Sequence, residues 1–459
     1  MQKKVEKEKP WAQIFAVFTV SLSSISIFIF LSWPSTSIKK LTADKVSYNI
    51  SDEEASYFTV VPPVASILIS PVISKLNDQI GRKYTILTIG VLQIISWVLI
   101  IFAKSIWMFY LSRCFYGMAE SGFYTSVPLY IAEICAPKIR ETGGNFMMFV
   151  MYLGLILSNA VGSSYTIREE AFIFVCFPVL FVVIFMFMPE SPTYLIMINK
   201  DEEARNTLKW LTMQSDVEED FTSLKNSVHA DMLESGTWTD LFCITSNRKA
   251  LCAGVFLRLS QQLAGLGTFC AYTQVIFEKA GGNLSPTLAS SIITGCLCIF
   301  IVTGFFVLDA LGRKKTYITS TFFSGVSLLV ISIYFFLDEH ASTLDLTKFT
   351  MLPFIASISY TFFVTMGLAT LPVIMPGELF STSIKTKGLA LLNIEYAFCL
   401  CFMTKLFYEL KNRVGMFCPF LLFGVSCLVA TVVSFFVVPE TKGKTLEEIQ
   451  QDLRRKNVQ

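Results

Sequence analysis

Asp78-Gln79-Ile80-Gly81-Arg82-Lys83 returns as Asp309-Ala310-Leu311-Gly312-Arg313-Lys314. The D-x-x-G-R-K spacing is the same in both copies, which stand 231 residues apart in a chain of 459. Each copy fills a short charged gap between two long apolar runs. A repeat of about half the chain, with each half hydrophobic, is the pattern of membrane proteins built from two similar helical bundles.

Composition agrees. The chain is 53% hydrophobic and 14% aromatic, and only 16% of it is charged, against about a quarter in a soluble domain. A net charge of +2 gives no reason to expect a nucleic-acid partner. His229 and His340 stand far apart and near no cysteine pair, so no metal site is readable. Most of the twelve cysteines fall inside apolar runs, where they serve as small buried hydrophobes. Cys296/Cys298 and Cys399/Cys401 are two residues apart, which on a helix turns the thiols to different faces, so neither pair suits a chelate or a disulfide. The N-terminal apolar run is too long for a signal peptide and lacks a small-residue cleavage site, so it reads as a first membrane span.

A helix needs roughly 20 apolar residues to cross a bilayer. Uncharged runs of that length lie at 11–38, 55–74, 84–103, 142–167, 171–189, 280–308, 316–337, 349–377 and 414–439. Three more carry isolated charges: 105–131 with Arg113 and Glu120, 250–277 with Arg258, and 388–410 with Glu395, Lys405 and Glu409. The expected fold is therefore an all-α membrane protein of twelve spans in two pseudo-symmetric six-helix bundles, 1–189 and 250–439. Between them, 190–249 is a polar linker in which Ala204, Leu208, Leu211 and then Phe221, Leu224 recur at helical spacing, predicting short surface helices. Residues 440–459 form a polar tail.

With the N-terminus inside, roughly two thirds of the basic residues fall in cytoplasmic segments, which fixes both termini in the cytoplasm. The sequons Asn49-Ile50-Ser51 and Asn283-Leu284-Ser285 then lie outside; Pro286 weakens the second, leaving Asn49 as the glycosylation candidate. Pro62, Pro63, Pro71, Pro128, Pro353, Pro372 and Pro376 lie within spans, where bent helices persist if the freed backbone meets a cavity or a neighbour. Pro372 and Pro376 read as a functional kink, while Gly117 and Gly122 read as close-packing positions.

These motifs occur in a familiar order. After Asp78–Lys83 come Arg113-x3-Gly117, Pro128-x-Tyr130-Ile131-Ala132-Glu133 with Arg140 seven residues on, Pro189-Glu190-Ser191-Pro192, and Gln261-Gln262-Leu263-Ala264-Gly265. The second D-x-x-G-R-K follows, then Gly377-Glu378-Leu379-Phe380 leading to Lys385, and Pro439-Glu440-Thr441-Lys442-Gly443. The chain resembles the sugar porter family of the major facilitator superfamily over essentially its whole length. The Leu31-Ser32-Trp33 ending of span one and the short tails are most similar to the insect trehalose-transporter branch. The resemblance implies a plasma-membrane carrier working by alternating access, with no cofactor and no enzymatic activity.

Two further repeats support the halves. Glu133/Arg140 and Glu378/Lys385 recur at an offset of 245, and Pro189-Glu190 is answered by Pro439-Glu440. A solvated positive-inside loop is the plainer reading, since exposed ion pairs contribute only about 0–1 kcal/mol each. In the family such charges pair across the cytoplasmic helix ends and hold an inner gate shut. The resemblance thereby assigns the gate to Asp78, Arg82, Glu133, Arg140, Glu190, Asp309, Arg313, Glu378, Lys385 and Glu440. Gly443-Lys444-Thr445 is not a phosphate-binding loop: position 438 holds Val438 where that motif needs glycine, and no strand precedes it, so no nucleotide is expected.

The resemblance also implies a solute site of polar side chains near the bilayer midplane, between the bundles. Gln261 and Gln262 match the family's glutamine pair in span seven, and Asn393 its asparagine in span eleven. Amides suit a sugar because each donates and accepts hydrogen bonds with hydroxyls. Elsewhere the pattern departs: Met148, Gly267, Leu297, Val373 and Ile394 stand where the family has a glutamine, two asparagines and two tryptophans. Each loses a hydroxyl partner or a ring platform, which weakens hexose recognition.

Ionisable residues inside spans are functional hypotheses by default. Arg113 matches the family; Glu120, seven residues on, lies on roughly the same face and is a candidate partner. Arg258 is one turn before Gln261, either lining the cavity's inner half or snorkelling to the interface. Glu395 is two residues past Asn393. Span one carries no acid between Trp11 and Ile38, where proton-driven members typically have an aspartate. The expectation is facilitated diffusion of a neutral sugar, trehalose or a hexose, through a lipid bilayer. The alternatives are proton symport, a carrier for a less polar organic solute, and a porter-like sensor that no longer transports.

Overall fold

A bilayer interior offers no water to the backbone, so every apolar stretch must satisfy its own N–H and C=O groups. In the computed structural model each of the twelve stretches is helical, and no strand occurs among the described residues. Those are residues 11–452 apart from 46–47, 215, 234–236, 281–283, 341–348, 382–383, 443–447 and 450. The first half comprises α1 (Trp11–Ala43), α2 (Asp52–Ser56), α3 (Val61–Gln79), α4 (Arg82–Ile101), α5 (Ile106–Ile134), α6 (Pro137–Ser164), α7 (Ile167–Phe174) and α8 (Cys176–Phe185). The linker holds α9 (Pro192–Met197), α10 (Asp201–Thr212), α11 (Glu218–Leu233) and α12 (Trp238–Cys243). The second half comprises α13 (Thr245–Leu263), α14 (Leu266–Ala280), α15 (Pro286–Leu311), α16 (Arg313–His340), α17 (Leu352–Phe363), α18 (Leu371–Leu379), α19 (Lys385–Arg413) and α20 (Phe417–Val437).

Nine helices among the described residues are long and apolar enough to cross a membrane. The other three stretches fall short for visible reasons. The 29-residue α5 carries Arg113, Glu120 and Glu133. The sixth and seventh are each broken in two, α7/α8 at Val175 and α13/α14 at Ala264–Gly265. Residues group by contact into two compact units that do not follow the chain halves. One is Met1–Ile29, Ala65–Gly154 and Arg168–Ser235; the other is Phe30–Val64, Leu155–Ile167 and Gly236–Gln459.

In the first unit small residues let helices meet closely. A Cβ on Gly122 of α5 would lie 2.6 Å from Ile89 of α4, and one on Gly154 of α6 would lie 2.6 Å from the Ile25 carbonyl oxygen of α1. Backbone approach of this kind drives helix association where lipid removes the hydrophobic incentive. The linker helices form where the periodicity places them. Leu195, Ile196, Ala204, Leu208, Val217, Phe221 and Val228 make one small core, over which the Arg205 guanidinium covers the Phe221 ring at 4.0 Å and bonds Glu218 at 3.0 Å. Gln13 of α1 donates to the Leu211 carbonyl, tying this subdomain to the first span.

The second unit contains an extended core that includes Tyr317, Leu328, Phe335, Tyr360, Leu371 and Phe420. Two breaks interrupt it. At the first, Gly265 adopts φ +75° and leaves no room for a side chain, since a Cβ would lie 2.4 Å from Phe423. The carbonyl freed at Ala264 accepts the Tyr360 hydroxyl at 2.9 Å. The second is a π turn, Val364–Leu368, between α17 and α18. Ser320 holds it from both sides: its Oγ donates to the Phe363 carbonyl at 2.7 Å and accepts the Leu368 N–H at 2.9 Å. The tenth span is therefore interrupted ahead of Pro372, which takes a place in the first turn of α18 where its missing N–H costs nothing. Pro376 lies inside that helix.

Candidate functional site

Two kinds of site emerge: a charged lock built twice, and a polar meeting point of the two broken spans in the second half.

The lock begins with a helix N-terminus, whose first N–H groups lack partners and attract an anion. At α4 that anion is Glu190. Its Oε1 accepts the N–H of Arg82 at 3.0 Å, of Lys83 at 3.1 Å and of Ser191 at 2.8 Å. Gly81, at φ +92°, makes room; a Cβ there would lie 2.3 Å from Glu190 Oε2. Arg82, buried, turns its fork onto Glu133 of α5, Nε to Oε2 at 3.0 Å and Nη2 to Oε1 at 3.0 Å, with Nη1 on the Asn77 carbonyl at 3.1 Å. Ser191 donates to Glu133, Tyr130 to the Pro189 carbonyl, and Tyr194 to the Gln79 carbonyl. Three separate stretches, 77–83, 130–133 and 189–194, are thereby bonded into one piece.

The second half repeats the arrangement. Glu440 accepts the N–H of Arg313 at 3.0 Å and of Lys314 at 3.2 Å, Gly312 stands at φ +83°, and Arg313 Nη2 meets Glu378 at 3.3 Å. Thr441 takes the place of Ser191, donating to Glu378 at 2.6 Å. The copy is looser. Side-chain exposure is 21% and 28% for Arg313–Glu378 against 5% and 10% for Arg82–Glu133. The acid caps differ accordingly. Burial is the largest influence on Glu190 and leaves its pKa above the usual carboxylate range. Burial is also the largest single influence on Glu440, but the N–H groups of Lys442, Arg313, Lys314 and Thr441 together outweigh it and hold that carboxyl below the range.

Among the other charges assigned to the gate, Asp78 is exposed at the end of α3, and Lys385 is half-buried with its Nζ near Gly377. The side chains of Arg140 and Asp309 lie outside the described residues. The contacts described for each lock join residues of one unit. The sequon residue Asn49 is exposed at φ +46°, a conformation asparagine tolerates; Asn283 lies outside the described residues.

The polar meeting point lies where α13 ends. Gln261 and Gln262 are both buried in the last turn before the Gly265 break. Gln261 Nε2 donates to the carbonyl of Ala369, immediately after the π turn, at 3.0 Å, while its Oε1 is buried without a hydrogen-bond partner. Asn393 and Glu395 are half-buried on α19, and both Glu395 oxygens are buried without hydrogen bonds. Arg258 stacks on Tyr396 at 5.3 Å and lies within electrostatic reach of Glu395. In the first unit Arg113 and Glu120 are both buried on α5. The Arg113 guanidinium lies 4.9 Å from the Tyr116 ring centre and within electrostatic reach of Glu120.

Sequence reasoning missed the role of Ser320 and of Tyr360, since a hydroxyl in an apolar run gives no sign of the backbone it will serve. It also missed why position 267 is glycine. A Cβ there would lie 2.6 Å from Leu400 Cδ1, so the space a longer side chain would take is filled from α19.

The sequence model of the family described as Sugar (and other) transporter matches residues 12–453. The facilitated trehalose transporter Tret1 of Polypedilum vanderplanki is 28% identical over 450 residues, covering 96% of this chain and 88% of that protein. Tret1 of Drosophila grimshawi is 28% identical over 447 residues, covering 96% of this chain and 48% of that protein. The chain thus spans about half the length of several relatives it matches. Among solved structures, the major facilitator superfamily proton:xylose symporter XylE bound to 6-bromo-6-deoxy-D-glucose superposes with a TM-score of 0.79. It is 19% identical, and the match covers 97% of this chain and all of that one. The fold is that of the major facilitator superfamily, and with the match running almost end to end, this chain belongs to the Sugar (and other) transporter family.

Proposed function

We propose that the chain is a carrier that moves a neutral sugar, trehalose or a hexose, by alternating access and facilitated diffusion. The observation that carries this is Gln261: its amide nitrogen is fixed to Ala369 and its oxygen is buried with nothing to accept from. A buried acceptor left unpaired costs about 1–3 kcal/mol, a cost that a solute hydroxyl bonded there would remove. The bond also couples the site to the break in the tenth span, a segment able to rearrange because its backbone is already served by side chains. Gln262 and Asn393 complete the polar set. Membership of a sugar transporter family and likeness to facilitated trehalose transporters support the solute class. The twinned locks act as rigid handles on the helix ends and, with the remaining charges assigned above, as the cytoplasmic gate. The distribution of basic residues supports both termini in the cytoplasm, and the likeness to facilitated trehalose transporters supports a plasma-membrane location.

Uptake of radiolabelled trehalose and glucose into proteoliposomes holding the purified chain tests the reading. Saturable uptake, with a KM raised about tenfold or more in Gln261→Leu, is expected; absence of uptake of either sugar sinks it. A proton-coupled variant of the reading is favoured by Glu120 and Glu395, whose carboxylates carry buried oxygens without hydrogen-bond partners. Uptake that accelerates with an imposed pH gradient, and loses that acceleration in Glu120→Gln or Glu395→Gln, would select it.

A further inference from the structure

Helices α13 and α19 lie side by side in a parallel register set by two contacts. A Cβ on Gly254 would lie 2.7 Å from Leu392, and the Arg258 guanidinium covers the Tyr396 ring at 5.3 Å, both at the same offset along the chain. That offset brings Cys399 level with Gln261 and sets Glu395 one turn nearer the start of α19, a rise of about 6 Å. Arg258 and Glu395 both lie outside the sugar porter motifs described above. Glu395 is the sharper anomaly. Both of its oxygens are buried without a hydrogen bond, although an ionisable group within a span is normally paired. Arg258 lies within electrostatic reach but is not bonded to it, and Cys399, at the level of Gln261, lies within the same reach. With Gln261 Oε1, this interface contributes three buried acceptor oxygens to which no described residue donates.

We propose that Glu395 binds the solute directly, its two oxygens accepting two adjacent hydroxyls of a sugar ring, and that Arg258 is the positioning residue that holds the carboxylate for them. The inference rests on the sugar-carrier reading and names the group that selects among sugars. An ionised carboxylate only accepts, and its two oxygens stand side by side, as two neighbouring ring hydroxyls do. Hydrogen bonds to a charged acceptor are roughly twice as strong as neutral ones. The amides of Gln261, Gln262 and Asn393 can each donate or accept, so they tolerate a rearranged set of hydroxyls. A buried carboxylate is less forgiving, because a solute lacking either donor leaves an oxygen unpaired. Arg258 offsets the charge that Glu395 brings into the span. Its stacking on Tyr396, the next residue along α19, ties the guanidinium to the helix that carries the acid. Because no bond joins it to Glu395, both oxygens are left for the solute. Glu395 thereby supplies hydroxyl contacts of the kind lost at Gly267 and Leu297.

The test pairs each variant with sugars that lack one hydroxyl. The full chain is reconstituted in proteoliposomes, and uptake of whichever of glucose and trehalose the wild type carries is measured in competition with analogues missing one ring hydroxyl each. In the wild type two neighbouring positions should stand out, loss of either hydroxyl weakening competition about tenfold or more. Glu395→Ala should erase the discrimination at those two positions and no others, so that analogue and parent sugar compete equally. Glu395→Gln, which keeps one acceptor oxygen, should retain discrimination at one of the two positions at most. Arg258→Met should raise KM and blunt discrimination at the same two positions with the maximal rate little changed, and Arg258→Lys should restore it in part. A variant that merely folds poorly lowers all uptake together and leaves the ranking of analogues intact. An unchanged ranking in the Glu395 variants, or a loss spread evenly over every hydroxyl, overturns the proposal. Absence of wild-type uptake of either sugar overturns the carrier reading and this inference with it. Saturable uptake with an unchanged ranking removes only the part given to Glu395.

Discussion

Glu190 accepts the backbone N–H of Arg82 while the Arg82 side chain grips Glu133, and Glu440 does the same for Arg313 and Glu378. One arginine thus joins two carboxylates, one through its main chain and one through its guanidinium. Where an arginine only paired with an acid, a change of rotamer would free it. Here the helix start, the loop after span six and the end of α5 move as a body.

The glycine of D-x-x-G-R-K is the tightest point of that body. Alanine at position 81 meets both a left-handed φ of +92° and Glu190 Oε2 at 2.3 Å, whereas at position 312 the φ is +83° and the closest atom is 2.9 Å away. Backbone strain of this kind costs about 1–3 kcal/mol. Gly81→Ala should lower the melting temperature of the detergent-purified protein more than Gly312→Ala does; the reverse order would show that the first lock is the more yielding.

The arginines should separate in the same direction. Removing one partner of a buried, hydrogen-bonded pair costs about 3–5 kcal/mol, and the cost falls toward about 1 kcal/mol or less as a pair becomes exposed to solvent. Arg82→Ala is therefore expected to abolish a stable fold or reduce surface expression severely, and Arg313→Ala to be tolerated. Lysine at position 82 should rescue only partly, because it cannot reproduce the two parallel bonds to Glu133.

Acidification should distinguish the two capping acids. Glu190 is raised above the usual carboxylate range by burial, so the folded state takes up its proton first. Its contribution is most favourable below the unfolded pKa and declines as pH rises through the folded one. As pH falls from neutral toward the ordinary carboxylate value of 4.5, the wild type should gain stability relative to Glu190→Gln. Glu440 is depressed, so its contribution is present above the unfolded pKa and is lost only as pH falls through the lower folded value. The difference between wild type and Glu440→Gln should stay flat from pH 7 to pH 5 and shrink below about 4.5. Melting curves across this range check both signs.

Gly267 and Leu400 should behave as a coupled pair. A methyl group at position 267 overlaps Leu400 Cδ1 at 2.6 Å, and overpacking of this kind costs about 1–3 kcal/mol. Gly267→Ala should destabilise the protein alone and do so much less on a Leu400→Ala background, giving a non-additive cycle. Additive melting shifts would mean that the two side chains do not share the space.

The amino-acid sequence alone determined the number of apolar stretches, the internal repeat and the linker helices. Each follows from local quantities: run length, spacing of like motifs, and the helical period of Ala204, Leu208 and Leu211. It also placed Glu133, Glu190 and Arg82 in one constellation, because the repeat at Glu378, Glu440 and Arg313 made coincidence implausible. Which acid takes which part of the arginine was decided only in three dimensions. That choice depends on where the loop after span six crosses the start of α4, and no spacing along the chain encodes a crossing. The breaks in the seventh and tenth spans divide the same way. Gly265 marks the first in the sequence, but the Tyr360 hydroxyl lies 96 residues downstream of the Ala264 carbonyl it serves, and the Ser320 hydroxyl lies 43 and 48 residues upstream of the Phe363 and Leu368 groups it serves. The tertiary structure decides such positions because a freed carbonyl inside a membrane can persist only where some distant side chain has already been brought to meet it.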